Sequence, residues 1–300
     1  MRSKTEKSGL TGLPLMAGAV LISFAPVFVK ISGVGPATAG FYRLLFGGLA
    51  LSLAALVGGR LSLPSGGRLG LVLLAAVLFA LDLAFWHRSI HHVGPGLATV
   101  LGNFQVFVLA VAGILFFRER PGLRFFAAVL MAMLGVFLLV GTDWRSQGFE
   151  YRLGVIEGLI TAVFYGAYLI TLRRVQSSQG HAAQVAGIAA VSLLSVVPMF
   201  GVMLLQGESL AIPDLRSGGV LLAYGVLCQG GGWLLISRGL PRVTVSAAGL
   251  FILLQPTLSF VWDVLFFARP LRLTDLAGAA LALGAIYLGT RSTQPPATQA

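Results

Sequence analysis

Long apolar runs broken by short polar turns fill almost the whole chain. A membrane-spanning helix needs about 20 apolar residues. Ten stretches read that way, at roughly 12–32, 37–58, 69–90, 95–117, 124–141, 153–173, 182–205, 218–238, 244–267 and 273–290. The turns between these spans leave little room for a soluble domain. The pattern predicts an all-α membrane protein with ten transmembrane helices. Residues 1–11 read as a short polar tail with Arg2, Lys4 and Lys7. Residues 291–300 read as a second tail, with Ser292, Pro295 and Pro296 as the mark of disorder. The run from Leu13 is long enough to span and has no evident cleavage site, so it reads as the first helix and not as a removed signal.

The order of features repeats. At an offset of 149, Phe117 meets Phe266, Arg120 meets Arg269, Pro121 meets Pro270, Ala128 meets Ala277, Gly135 meets Gly284 and Leu139 meets Leu288. A fainter echo at an offset of 140 pairs Gly18 with Gly158 and Phe24 with Phe164. Spans 4 and 5 thus echo spans 9 and 10, and span 1 echoes span 6, so the unit is five helices. Five is odd, so the second copy inserts upside down, and such inverted repeats commonly hold their substrate near the midplane between the halves. The expected division is 12–141 for the first five-helix repeat, 142–152 for an external linker and 153–290 for the second repeat.

Composition agrees. The chain has 300 residues, 57% hydrophobic and only 10% charged, with mean hydropathy +0.90, where a soluble domain carries roughly a quarter charged residues. The net charge of +11 does not indicate nucleic acid, because the basic residues stand singly or in pairs at span ends, as cationic loops do beside an anionic inner leaflet. With the N-terminus inside, the inner side holds Arg2, Lys4, Lys7, Arg60, Arg68, Arg118, Arg120, Arg124, Arg173, Arg174, Arg238, Arg242 and Arg291. The outer side holds Lys30, Arg88, Arg145, Arg152, Arg216, Arg269 and Arg272. This bias predicts both termini in the cytoplasm. Cys228 is the one cysteine, which excludes an internal disulfide and a cysteine-rich metal site.

The closing segments of the two halves, "FFRERPGLRFFAAVLMAMLGVFLL" and "FFARPLRLTDLAGAALALGAIYLG", resemble those of the drug/metabolite transporter superfamily, EamA type. The resemblance covers about residues 12–290. Glu119 matches the acid before the fifth helix of the first half, and Ala268 stands where the second half often has one. Arg43 in "FYRLLFGG" resembles the arginine common in the second helix of the first half. The resemblance implies a bacterial inner-membrane exporter or exchanger of small metabolites, working by alternating access. Among its members, the aromatic amino-acid exporters are a fitting likeness. No cofactor and no metal are expected. The expected partners are amino acids or similar metabolites and membrane lipids, with the chain a monomer or weak oligomer.

Candidate site residues follow from depth and spacing. Arg43 and Asp82 lie at similar depth in spans 2 and 3 and could pair, either as a structural ion pair or as a gating or proton-linked one. Asp82 and Trp86 share a helical face, as do Gln229 and Trp233 in span 8. Under inversion these are matching positions. Asn103 and Gln105 in span 4 and Gln255 in span 9 add amides near mid-depth; Phe24, Phe28, Tyr165 and Tyr168 add aromatic surface from spans 1 and 6. An amide facing lipid would be poorly satisfied, so these residues either bind substrate or hydrogen-bond helix to helix. Aromatic walls with a few amides suit a neutral amphipathic ligand. Glu157 and Asp263 near outer ends read as interfacial and solvated. So do His87, His91 and His92, which have no carboxylate near them in sequence. Pro26, Pro198 and Pro256 interrupt hydrogen bonding inside spans 1, 7 and 9.

The leading expectation is a secondary exporter of small amphipathic metabolites, most simply amino acids including aromatic ones. No GxxxxGK[ST] loop is present, so ATP-driven pumping is not expected. A channel-like facilitator is the alternative. An intramembrane enzyme is the weaker one, since no HExxH or clustered nucleophile and base is found.

Overall fold

The computed structural model describes residues 4–57, 67–119, 121–140, 148–177, 181–267 and 273–292, and no strand occurs among them. Arg120, Ala268, Arg269, Pro270 and Arg272 of the echoed turns, most of the 142–152 linker and the C-terminal tail lie outside the described residues, as does the side chain of Asp263.

Among the described residues, thirteen α-helices build the spans. Span 1 is α1 (Lys4–Ser23) with α2 (Ala25–Ile31), and span 2 is α3 (Pro36–Val57). Then come α4 (Gly67–Gly102), α5 (Gln105–Phe117), α6 (Leu123–Val140), α7 (Phe149–Gln176) and α8 (His181–Leu205). Span 8 is α9 (Leu215–Ala223), a π-helical segment Tyr224–Gly232 and α10 (Trp233–Gly239), closed by a 3-10 turn. Span 9 is α11 (Val245–Ile252) with α12 (Leu254–Phe267), and span 10 is α13 (Leu273–Ser292). Seven of these stretches are long and apolar enough to cross a membrane, and shorter apolar helices at Gln105–Phe117, Leu123–Gly135 and Leu276–Ala285 fall at spans 4, 5 and 10. A helix satisfies its backbone groups internally, without water. Helical backbone begins at Lys4, inside the segment read as a polar tail.

α4 is helical throughout yet folds back on itself. In a straight helix, residues 86 and 102 would stand about 24 Å apart. Instead, a methyl placed at Gly102 would lie 4.0 Å from the Trp86 ring, and Ser89 and Leu101 both flank Gly158 of α7. The first arm of α4 is span 3, and the second arm with α5 is span 4. The two-span reading of this stretch therefore holds, although the turn is itself helical.

The packing repeats as the sequence does. α3 packs on α8, α5 on α11 and α6 on α13, pairing spans 2 with 7, 4 with 9 and 5 with 10. Every other large interface has a counterpart when span n is exchanged with span n + 5. α4 on α7 matches α1 on α10 and the π segment; α4 on α8 matches α3 on the π segment; α5 on α7 matches α1 on α11 and α12. Gly18 meets Ile236 just as its echo Gly158 meets Ser89. Five crossings per unit make the two copies inverted.

Breaks in the helices also repeat, but only partly. Span 4 breaks at Asn103–Phe104 and span 9 at Leu253, equivalent positions at the 149 offset, although only span 9 carries a proline there, Pro256. Span 1 breaks at Phe24 before Pro26, whereas α7 runs unbroken past Phe164. α8 runs unbroken through Pro198, so that proline does not divide its span.

Polar contacts close each end of the bundle. At the end where α1 begins, α5 stops at Arg118 in the left-handed region (φ 52°) and the Glu119 N–H donates to Gly113 O at 2.9 Å. This swings the Glu119 carboxylate under α11, where Oε1 accepts the Val245 N–H at 2.7 Å. Arg173 Nη1 donates to Leu240 O at 3.0 Å and also to Val243 O. At the opposite end Glu208 caps α3, accepting from Thr38 N at 2.7 Å and Thr38 Oγ1 at 2.9 Å. Asp214 caps α9, and the Ser217 backbone N–H holds its carboxyl below the usual range.

Candidate functional site

A cavity of about 80 Å³ lies between the halves. That is room for roughly half a dozen waters. Spans 1, 2, 3, 4, 6, 8 and 9 all reach it. Of the residues anticipated from sequence, Asp82, Trp86, Asn103, Tyr165, Trp233, Gln255 and Arg43 line it. Phe79, Thr99, Thr161 and Ser259 line it as well and had not been singled out. Phe79 stands one turn before Asp82 on the face that carries Trp86, and that spacing was the available signal.

Five anticipated site residues lie off the cavity. Phe24 stacks on Trp262 with ring centres 4.3 Å apart, and Phe28 stacks on Tyr224 at 5.8 Å. Tyr168 lies behind the wall, stacked on Phe79 at 4.4 Å and edge-on to Trp233 at 4.9 Å. Gln105 is fully buried just past the span 4 break, and neither end of its amide has a partner among the described residues. Gln229 is also off the cavity, but it shapes the site by holding Arg43.

The anticipated Arg43–Asp82 ion pair is not formed as a contact: among the described residues no pair within 4.0 Å involves either side chain. Arg43 turns toward span 8 instead. Its Nε donates to Gln229 Oε1 at 3.1 Å and its Nη1 to the Tyr224 hydroxyl at 3.2 Å. The guanidinium also faces the Phe79 and Tyr224 rings at 5.8 and 5.2 Å, close enough for cation–π attraction. Gln229 Nε2 donates to Ser192 Oγ at 2.8 Å, extending the chain of bonds to span 7. The reason is the π segment. It holds both Tyr224 and Gln229, and it lies so close to α3 that a methyl on Gly47 would sit 2.4 Å from Gln229 Cβ. π turns inside helices are frequent at functional sites.

The cavity wall keeps several polar atoms unsatisfied among the described residues: Trp233 Nε1, Asn103 Oδ1, Thr161 Oγ1 and Gln255 Nε2. Buried polar groups are normally paired, so these are free to meet a solute or water.

The outer acids and histidines differ from the expectation. Glu157 is buried, not solvated, with its side chain 3% exposed and Oε1 2.7 Å from Arg88. His92 lies 3.1 Å from Glu150 and 3.6 Å from Glu157, so carboxylates do accompany the histidines. They come from α7, which the reversal of α4 packs alongside. His87 is buried and faces Gly40 and Met199, and neither ring nitrogen has a partner among the described residues. No group of three or more potential metal ligands occurs among the described residues.

The profile of the EamA-like transporter family matches residues 10–141 and 152–291, one copy for each half. The chain belongs to the EamA-like transporter family. It is therefore a multi-pass membrane transporter of the drug/metabolite superfamily, with ten transmembrane helices in two inverted repeats. The transporter is 25% identical over 249 residues to a Bacillus subtilis (strain 168) protein named uncharacterized transporter YwfM, spanning 82% of this chain and 81% of that one. It is 25% identical to an uncharacterized transporter of Archaeoglobus fulgidus over 92% of this chain and 95% of that one. The pseudopaline exporter CntI of Pseudomonas aeruginosa is 23% identical over 73% of this chain and 74% of its own. A crystal structure of a protein 19% identical superposes with a TM-score of 0.79, covering 94% of this chain and 97% of that one. This last likeness supports the fold alone.

Proposed function

We propose that this EamA-like transporter exports small amphipathic metabolites, amino acids including aromatic ones foremost, across the bacterial inner membrane by alternating access. Both termini face the cytoplasm in this reading, as the distribution of Lys and Arg favours. The external linker is 142–152, and the two repeats are 12–141 and 153–290.

One observation carries the reading: the cavity between the halves joins four aromatic rings, Phe79, Trp86, Tyr165 and Trp233, to charged and amide groups. A concave apolar site with a few convergent polar groups suits a solute with an apolar body and a polar head. The cavity of about 80 Å³ is smaller than an aromatic amino acid requires, so in this reading it widens to take its solute. A relative named as an exporter favours the outward direction.

The test is uptake of labelled phenylalanine, leucine and alanine into proteoliposomes holding the purified full-length protein, under imposed pH gradients and membrane potentials. Saturable uptake that falls in Trp86→Ala and Trp233→Ala is expected. Absence of uptake for every amino acid under all gradients sinks the substrate reading. Single-channel currents in place of saturable exchange would establish the channel alternative.

A further inference from the structure

The Asp82 carboxyl group lines the cavity, is 6% exposed and has no hydrogen-bond or contact-ion partner among the described residues. A carboxylate inside a membrane protein is costly unless a cation meets it. Arg43 is the charged neighbour, but its nitrogens are directed to Gln229 and Tyr224 and its face to Phe79. It attracts Asp82 from a distance without filling its coordination.

We infer that Asp82 binds the protonated amine of the transported solute, so that the cavity takes ammonium-bearing molecules, zwitterionic or cationic, and rejects neutral and anionic isosteres. This rests on the transport reading above. Three features of the wall support it independently of any family likeness. The Phe79, Trp86, Tyr165 and Trp233 rings line the same cavity as the carboxylate, and aromatic rings attract an organic cation. Asn103 Oδ1 is an unpartnered acceptor on the same wall, suited to an N–H of that amine. Trp233 Nε1 is an unpartnered donor on the other half, suited to a carboxylate or other acceptor at the solute's second head. A neutral solute would leave Asp82 buried and unpaired, and an anion would face it directly.

The experiment is ligand-induced thermal shift and isothermal titration on the purified full-length protein. Four probes keep one phenyl body: phenylalanine, phenethylamine, N-acetylphenylalanine and 3-phenylpropionate. The expected result is binding of the first two, with the last two at least about tenfold weaker. Asp82→Asn weakens the two amines by about 10- to 100-fold, the range of a charged hydrogen bond, and tightens the two anionic non-amines, which no longer face a carboxylate; Asp82→Glu restores part of the loss. Equal binding of phenylalanine and N-acetylphenylalanine to the unmodified protein overturns the inference while leaving the transport reading intact. So does unchanged phenylalanine binding in a folded Asp82→Asn. Binding of none of the four overturns the inference, and the substrate reading falls with it only where no labelled amino acid is taken up. The comparison of probes on the unmodified protein decides the matter even where the variants fail to fold.

Discussion

Gly47→Ala perturbs the contact on which the Arg43 geometry rests. A methyl at position 47 would lie 2.4 Å from Gln229 Cβ and 2.7 Å from the Gly225 carbonyl oxygen. Neither atom can swing aside by rotating an outer bond, so α3 or the π segment must move. Gly70, on the first arm of α4, is the matched control, because a methyl there meets nothing within 4 Å. Both substitutions gain the helix preference of alanine over glycine, about 0.5–1 kcal/mol. They therefore differ by the overpacking term alone, about 1–3 kcal/mol. At about 2–4 °C per kcal/mol, that separates their melting temperatures in detergent by roughly 2–12 °C, with Gly47→Ala the lower. The same displacement stretches the Arg43 Nε–Gln229 Oε1 bond, now 3.1 Å, so ligand-induced stabilisation falls along with the melting temperature. Equal melting of the two variants would refute the contact between span 2 and the π segment.

Ser192→Ala removes the acceptor for Gln229 Nε2 at 2.8 Å. Leaving that buried donor unpaired lowers stability by about 1–3 kcal/mol, read as a drop in melting temperature; an unchanged midpoint would mean that the amide bonds elsewhere. Cys228, the one cysteine, is buried, so maleimide labels the native protein slowly and the SDS-denatured protein completely; rapid native labelling would contradict its burial. Gln229→Glu puts a carboxylate against the Arg43 guanidinium at contact distance and cancels its charge in the cavity. It should shift preference from phenylalanine toward phenethylamine in titration, and an unchanged ratio would show that Arg43 does not influence the carboxylate end of the ligand.

The spans and their duplication were legible because the bilayer imposes a length on every helix and the turn chemistry at Phe117 and Phe266 was copied with them. The cavity was only partly legible, because a few degrees of helix rotation decide which of two neighbouring side chains faces inward. Tyr165 and Tyr168 are three residues apart; one lines the cavity and the other backs Phe79 and Trp233. Phe24 was read as wall, but the break before Pro26 leaves it stacked on Trp262. Arg43 and Asp82 were read as a pair from equal depth. A π segment rotates every residue after it relative to an α-helix, and nothing in "YGVLCQGGG" announces that it brings Tyr224 and Gln229 to Arg43 together. Glu157 was read as solvated because distance along a helix says nothing about the helix packed beside it; α7 packs that face against both arms of α4.

The two halves are least alike where the charges are. Asp82 and Gln229 hold matching positions, four residues before matching tryptophans. If both were acidic, Arg43 would be neutralised by its contact with span 8. The amide instead accepts the Nε–H and passes a donor on to Ser192, so the guanidinium is held without losing its charge. Arg43 thereby ties span 2 of the first half to spans 7 and 8 of the second with bonds made within the protein itself. Asp82 has no such tie. Its carboxylate belongs to the first half alone, while Trp233 and Gln255, whose Nε1 and Nε2 have no partner among the described residues, belong to the second. A solute whose amine meets Asp82 and whose other head meets those donors completes a second bridge, and only while it is bound. One bridge is permanent and the other depends on the cargo, so loading the site adds free energy selectively to those arrangements in which the halves close around it. Differential binding of that kind is what a ligand must supply to shift a conformational equilibrium. In this chain it follows from an acid, Asp82, in one half standing where the other half has an amide, Gln229.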